Sequence, residues 1–417
     1  MPKALLLTIA ALSSFCLAST RLPPAGANEP APMTAPQGEP WDLHAIDGTS
    51  RGADGVRLAD VNDDGLTDVT TGWEEGGITK VYLHPGHARV RGKWPAVTIG
   101  RTESVEDAVF ADLNEDGSLD VVTCCEGGTK TMFAHLAPED SSRYLTPSAW
   151  EQTPIEESVD RMRWMFCLPL ELDGRKGLDL VAGGKGGNAQ IGWFQADDAT
   201  PRRYAWHAIS PAGWIMSLIA ADMDADGDMD VVASDRRGKL RGCRWLENPG
   251  PGKVQTEPWE NHFIGGRNAE IMFMKIADLD GDGLQDALAA ARPHTIFCLR
   301  RKDDSGMRWR AHRMRMPDGT GTAKAVAVGD MDRDGSKDLV ITCEHANGSK
   351  IGVMWASYSG DPWNGEWTTH KVSSARGIKF DRIELLDLDG DDDLDILTCE
   401  EREGGGGLGV IWYENPL

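Results

Sequence analysis

The chain has 417 residues, and its 66 acidic and 43 basic side chains give a formal net charge of −23. An acidic chain without basic runs lacks the cationic surface that nucleic acids and anionic lipid headgroups require, so neither is expected as a partner. The length would allow two or three ordinary domains, but a motif that recurs at a fixed interval favours one continuous array.

The N-terminal region predicts export. Residues 1–18 combine a cationic start, an apolar run over 4–12 and small residues near the end, which is typical of a secretory signal peptide; cleavage after Ala27 is the alternative. Residues 19–40 are rich in Pro and Ala and predict a flexible lead-in. No later stretch holds about eighteen continuous apolar residues, so no transmembrane segment is expected after the leader. The protein is therefore expected to be secreted, periplasmic or on the cell surface.

A nine-residue pattern, Asp-x-Asp/Asn-x-Asp-Gly-x-x-Asp, recurs along the rest of the chain. In six copies, oxygen-bearing side chains stand at positions 1, 3, 5 and 9: Asp60, Asn62, Asp64 and Asp68; Asp112, Asn114, Asp116 and Asp120; Asp222, Asp224, Asp226 and Asp230; Asp278, Asp280, Asp282 and Asp286; Asp330, Asp332, Asp334 and Asp338; Asp387, Asp389, Asp391 and Asp395. Position 7, whose backbone carbonyl can add a ligand, is Leu66, Ser118, Asp228, Leu284, Ser336 or Asp393. Because calcium takes six to eight oxygen ligands and a tight loop turns alternate side chains toward one centre, the pattern predicts about six calcium ions.

Two other interpretations of these loops are weaker. An EF-hand needs a Glu at position 12 between two helices, whereas Thr71 and Thr123 occupy that position within strand-like sequence. Asp and Gly also favour plain solvated turns, but six copies in one register weigh against that interpretation. Glycine at position 6 permits the positive φ of the reversal, and Asp392 replaces it in the last copy, so a more strained turn is expected there.

A seventh copy departs from the pattern. It consists of Glu171, Asp173, Arg175 and Asp179, and Arg175 and Lys176 stand where the fifth-position ligand and the glycine belong. A metal ion at this copy is therefore doubtful, and Arg175 could supply the positive charge instead.

Apolar runs flank each loop and predict the strands. The runs before and after a loop, such as 274–277 and 230–233, indicate a hairpin. A third strand follows, as at 242–246, and a fourth carries a Trp-x-x-His-x-aliphatic signature, as at 259–264. Four strands in each repeat of about fifty to sixty residues are typical of one blade of a β-propeller.

The same fourth-strand signature also occurs before the first loop, at 41–46, while the chain ends just after a third strand at 410–413. The N-terminal strand is therefore expected to complete the last blade, which removes the exposed sheet edges. The predicted fold is an all-β, seven-bladed β-propeller over residues 41–417, with its ring closed in this way.

The loops and blade signatures resemble the FG-GAP, or VCBS-type, repeat family, which includes the propeller of integrin α subunits. The resemblance covers roughly residues 41 to 417, and it implies calcium at the six intact loops, residue by residue as given above.

Seven cysteines follow the predicted leader. Cys124, Cys343 and Cys399 occupy related positions in different repeats, four or five residues after the last Asp of their loops. This recurrence favours small buried apolar residues over a disulfide framework.

Candidate binding residues lie six positions beyond the final Asp of each loop, where the second strand ends. They are Glu74, Glu126, Lys185, Arg236, Arg292, Glu344 and Glu401. Around the closed ring, three consecutive cations would face four consecutive anions at the mouth of the channel. This arrangement could bind a zwitterionic, carboxylated or sugar ligand, although ordinary salt bridges between blades would use the same residues.

Arg292 and His294 on the fifth blade should lie beside Glu344 and His345 on the sixth. An acid, a base and a cation in one mouth could support a polysaccharide lyase, but no catalytic residue can be assigned. The favoured function is a non-catalytic binding module for a glycan or a protein. A carbohydrate-active enzyme and a structural envelope or surface protein are the alternatives.

Overall fold

The computed structural model describes residues 31–197, 203–401 and 407–417, which form 29 β-strands and four 3-10 helices of three residues each. The strands are β1 (Ala31–Pro32), β2 (Asp42–Asp47), β3 (Ala53–Ala59), β4 (Asp68–Trp73), β5 (Ile78–Tyr82), β6 (Ala96–Arg101), β7 (Val105–Ala111), β8 (Asp120–Cys125), β9 (Met132–Leu136), β10 (Glu151–Pro154), β11 (Arg163–Pro169), β12 (Leu180–Lys185), β13 (Gln190–Ala196), β14 (Tyr204–Pro211), β15 (Ile215–Ala221), β16 (Asp230–Asp235), β17 (Gly242–Glu247), β18 (Glu260–Gly265), β19 (Glu270–Ala277), β20 (Asp286–Arg292), β21 (Thr295–Arg301), β22 (Trp309–Arg315), β23 (Thr322–Gly329), β24 (Asp338–Glu344), β25 (Val353–Tyr358), β26 (Trp367–Lys371), β27 (Phe380–Leu386), β28 (Asp395–Glu400) and β29 (Gly409–Glu414). The 3-10 helices are His87–Arg89, Ser141–Arg143, Pro147–Ala149 and Glu156–Ser158. None of the helices in the described ranges is long and apolar enough to cross a membrane.

The strands form seven antiparallel blades of four strands each, and in blades 1 to 6 the strands follow chain order from the inside of the ring outward. Blade 1 is β3–β6, blade 2 is β7–β10, blade 3 is β11–β14, blade 4 is β15–β18, blade 5 is β19–β22, blade 6 is β23–β26, and blade 7 is β27, β28, β29 and β2. The predicted all-β, seven-bladed propeller is confirmed.

The N-terminal strand closes the ring, as expected. β2 pairs antiparallel with β29, so that Asp42 lies opposite Glu414 and His44 lies opposite Trp412. The last blade is thus built from both parts of the chain, and β29 has no free edge.

The segment before β2 differs from the expected flexible lead-in. Its residues 19–30, like the predicted leader 1–18, lie outside the described residues. The part from 31 onward runs along the outer strands of blades 5 and 6: β1 pairs parallel with β22, and the Gln37 amide donates to the Thr369 carbonyl at 2.9 Å. Outer strands present unpaired backbone groups, and this segment satisfies part of them.

A tryptophan and a histidine stack across the third and fourth strands of several blades. The pairs face each other in register, with ring centroids 3.9 to 5.0 Å apart: Trp193 with His207, Trp245 with His262, Trp355 with His370, and Trp412 with His44. The last pair joins the two ends of the propeller, so the closure repeats an interaction that the other blades make locally.

The hydrophobic core lies between neighbouring blades. Every residue of the second strands β4, β8, β16, β24 and β28 is buried, because these strands have a blade on each face. The indole rings of Trp73, Trp164 and Trp193 are fully buried. All seven cysteines of the described residues are buried and free, as expected, and burial raises the pKa of the Cys243 thiol to about 12.

Candidate functional site: acidic loops and a central cup

Seven acidic loops connect the first and second strands of the blades and lie together at one face of the ring. We number them by blade: loop 1 (60–68), loop 2 (112–120), loop 3 (171–179), loop 4 (222–230), loop 5 (278–286), loop 6 (330–338) and loop 7 (387–395). The strand that leads into each loop begins at the opposite face of the ring. A strand of seven residues spans roughly 20 Å, which separates the two faces.

The final Asp of each loop acts as a clamp. In loop 4, Asp230 is buried and accepts from the amides of Met223 at 2.7 Å and Asn248 at 2.8 Å, which ties the start of the loop to the end of the third strand. The same two bonds recur in loop 3, where Asp179 accepts from Leu172 and Ala196 although Glu171 and Arg175 replace Asp at positions 1 and 5. Position 9 is therefore required by the hairpin itself, a role that the spacing of ligands did not suggest.

The side chains at positions 1, 3 and 5 accept hydrogen bonds from the loop's own backbone. In loop 1, the Gly65 amide donates to Asp60 at 2.8 Å and the Leu66 amide donates to Asp64 at 2.9 Å. These bonds hold the loop in a tight curve with its carboxylates facing inward. Gly65 has the expected positive φ of 82°, and Asp392 adopts 71° in loop 7, as expected for a non-glycine at that position.

The loops fit a hard cation, because several of their carboxylate oxygens are buried and have no hydrogen-bond partner in the part of the chain that the structure describes. These orphaned atoms include Oδ1 of Asp222, Oδ1 of Asp280, Oδ1 of Asp389 and both oxygens of Asp393. In loop 4, ligand atoms of Asp222, Asp224 and Asp230 lie within 4.8 Å of one another. A bound calcium ion would satisfy buried oxygens that otherwise carry a desolvation cost.

The same crowding changes the protonation of the clamps. Burial, reinforced by neighbouring carboxylates, raises the pKa of Asp68 to about 6 and that of Asp230 to about 7. A divalent cation at the loop centre would favour the ionised form.

Three loops contain cationic or amide neighbours. In loop 5, Arg300 lies 2.6 Å from Asp280 and 3.2 Å from Asp282, and in loop 7 Arg91 contacts Asp389. In loop 3, the amide of Gln195 donates to Asp173, while Lys176 pairs with Glu115 of loop 2 at 3.1 Å.

A cup of about 560 Å³ opens at the centre of the opposite face. Its wall is built from the beginnings of the first strands and the ends of the second strands. The structure brings all seven predicted ring residues to this wall: Glu74, Glu126, Lys185, Arg236, Arg292, Glu344 and Glu401. Beneath the cup, Lys275 of blade 5 pairs with Glu384 of blade 7 at 3.1 Å, so an ion pair crosses the channel there.

The side of the cup formed by blades 3 to 5 combines cations with apolar and aromatic groups. The guanidinium carbon of Arg236 and the Nζ of Lys185 lie 4.4 Å and 4.5 Å from the ring centroid of Trp214. Arg236 is buried, its Nε lies 3.4 Å from Glu270, and its side chain borders the cup. Met165, Phe166, Met216 and Phe273 complete this side.

The acidic side of the cup contains embedded lysines that sequence reasoning missed. Lys324 lies 3.2 Å from Glu401 and 3.6 Å from Asp381. Although burial opposes it, these two carboxylates raise the pKa of Lys324 well above its usual range. Burial and the charge of Glu401 raise the pKa of Asp54, which is hydrogen-bonded to Asp381. This side therefore offers both donors and acceptors.

Carboxylates crowd together at blade 2, where the cationic and acidic sides of the cup meet. Ligand atoms of Glu74, Glu106 and Glu126 lie within 4.8 Å of one another, and Lys185 contacts Glu106 at 3.0 Å and Glu126 at 2.5 Å. Burial raises the pKa of Glu106 to about 8, against the lowering effect of Lys185.

The four residues considered for catalysis are not all brought together. Arg292 pairs with Glu344 at 2.9 Å, and the exposed ring of His345 lies 3.8 Å from the same carboxylate. His294, by contrast, lines a separate cavity of about 140 Å³ with Arg315 and does not line the cup. The cup thus holds one of the two histidines.

Comparison with known proteins supports the fold. Residues 172–233 and 278–341 match the FG-GAP-like repeat family, so the two matched segments span loops 3 and 4 and loops 5 and 6. No curated protein matches the chain. Together with the seven blades, these matches support an FG-GAP repeat propeller, a fold that generally serves as a binding or interaction module.

Proposed function

We propose that this protein is an exported, calcium-stabilised propeller that binds a glycan in its central cup without transforming it. Calcium would be held at loops 1, 2, 4, 5, 6 and 7, where the oxygen-bearing side chains at positions 1, 3, 5 and 9 meet. Its role there is to neutralise the buried acidic groups of the hairpins, which lie at the face opposite the cup.

The observation that carries the proposal is Arg236 beside Trp214. A largely buried guanidinium that borders a cavity has lost much of its hydration, and a ligand in the cavity can accept hydrogen bonds from its N–H groups. The cup around it is concave, partly apolar and supplied with a few oriented polar groups, which is the usual character of a small-ligand site.

The mixture of charges favours a polyhydroxylated ligand. Sugar hydroxyls both donate and accept, so they can use Glu126 and Glu401 on one side and Lys185 and Arg236 on the other. The apolar side chains of Met216 and Phe273, which are largely buried but line the cup, would contact the carbon face of a sugar ring.

The test is a glycan-array screen of the exported protein, followed by titration calorimetry with the best ligand. Arg236→Gln should weaken binding about tenfold or more, because a buried charge-assisted contact is lost. Lys239→Gln is the matched control, since Lys239 is exposed in the same turn and outside the cup. Absence of saturable binding to any glycan in calcium would refute the proposal, and release of shortened products would instead favour an enzyme.

A further inference from the structure

A groove between blades 4 and 5 lies beside the cup. It has a volume of about 350 Å³, and three arginines, Arg267, Arg292 and Arg313, contribute to its wall together with Asn268, Thr295 and Phe297. Arg292 also lines the cup, so the two cavities share one side chain. A ligand long enough to leave the cup over Arg292 would enter this groove.

The groove is cationic within an acidic protein. No Asp or Glu is among its lining residues, whereas the cup has seven carboxylates in its wall. Arg267 and Arg313 are exposed, and no ion pair to either one is found within the described ranges. In a chain with a net charge of −23, unpaired arginines on one patch create a local field of the opposite sign.

Aromatic rings orient two of these arginines. The guanidinium of Arg267 lies 3.9 Å from the ring centroid of Phe263, and that of Arg313 lies 5.1 Å from Phe297. Stacking occupies one face of each guanidinium and leaves its N–H edge free for an oxyanion, which an arginine can bind through two parallel hydrogen bonds.

We propose that this groove is an anion subsite for the carboxylate or sulfate group of an acidic sugar, in a glycan whose adjoining neutral part occupies the cup. The inference rests on the proposed glycan binding and adds the chemical class of the ligand. A uniformly anionic peptide fits less well, because the acidic wall of the cup would repel its next carboxylates.

The experiment uses matched pairs of oligosaccharides and the full protein in calcium. A galacturonan oligosaccharide with one free carboxylate among methyl-esterified residues is compared with its fully methyl-esterified form, and a sulfated carrageenan oligosaccharide with its desulfated form, so the two arms distinguish carboxylate from sulfate. In at least one pair, the charged member should bind about tenfold more tightly, and added salt should reduce the difference.

Arg313→Gln and Arg267→Gln should each weaken binding of the charged member about three- to tenfold while leaving the neutral member unchanged. Arg310→Gln is the matched control, because Arg310 is exposed on the same strand, β22, and lies outside the groove. Equal affinity for both members of every pair, or equal effects of Arg313→Gln and Arg310→Gln, would overturn the subsite. Binding of oligoglutamate with the same affinity as the charged oligosaccharide would also overturn the subsite.

Failure of the subsite can be told apart from failure of the cup. If the neutral glycans bind and Arg236→Gln abolishes that binding while Arg313→Gln does nothing, the subsite is refuted and cup binding stands. If no member of any pair binds, both inferences are refuted.

Discussion

The buried Asp at position 9 allows the hairpin clamp to be separated from metal binding. In Asp230→Ala, the amides of Met223 and Asn248 lose their acceptor in a buried environment. Each unsatisfied buried donor costs about 1–3 kcal/mol, so the free energy of unfolding should fall by about 2–6 kcal/mol even in chelator.

Asp224→Ala is the contrasting variant. Asp224 is partly exposed, and among the described residues its carboxylate accepts from the Asp226 amide alone, at 3.2 Å and within the loop itself. Without metal its removal should change the unfolding free energy by no more than about 0.5 kcal/mol. In calcium, both variants should lose the stabilisation that binding at loop 4 supplies.

Asp179→Ala is the third variant in the comparison. Loop 3 retains the clamping Asp at position 9 but lacks the full set of calcium ligands. Its two hydrogen bonds, at 3.1 and 2.9 Å, predict a loss in chelator similar to that of Asp230→Ala, and the same loss in calcium. Urea denaturation followed by tryptophan fluorescence, in EDTA and in millimolar calcium, measures all three variants. A clamp role for position 9 is refuted if, in EDTA, Asp230→Ala is no less stable than Asp224→Ala, or if Asp179→Ala does not change the free energy of unfolding.

Three further predictions follow from other parts of the structure. Calorimetric titration should detect about six calcium ions, and Asp332→Ala should remove one of them; no uptake would contradict the metal assignment. Burial raises the pKa of Glu106 to about 8, so the folded state holds this proton more tightly than the unfolded state, and stability should fall as pH rises from about 4.5 to 8. In thermal melts recorded across this pH range, Glu106→Gln should reduce the fall in melting temperature. A fall as steep as that of the unmodified protein would show that other groups cause it. Deletion of residues 31–40 should lower the melting temperature moderately, because the outer edges of blades 5 and 6 lose hydrogen bonds. Deletion of residues 31–47 should abolish soluble folding, because it also removes β2 and exposes the edge of β29. Equal effects of the two deletions would show that β2 is not needed to close the ring.

Much of the cup could be predicted from the sequence. Arg236 and Glu401 were placed at its wall by counting six residues from the last Asp of a loop, because every blade repeats the same hairpin and equivalent positions must form a ring. Lys324 and Asp381 were missed because they precede their loops, in strands where alternation identifies two faces but not the one that meets the channel.

The sequence by itself determined the number of blades, the closure by β2 and the acidic loops, since each depends on a local pattern that recurs with a fixed period. Only the tertiary structure decided which charges meet across blades, such as Lys324 with Glu401, and that the arginine groove adjoins the cup. These contacts join residues that are distant in the chain, and their partners are set by how neighbouring blades pack around the ring. No local period encodes that packing.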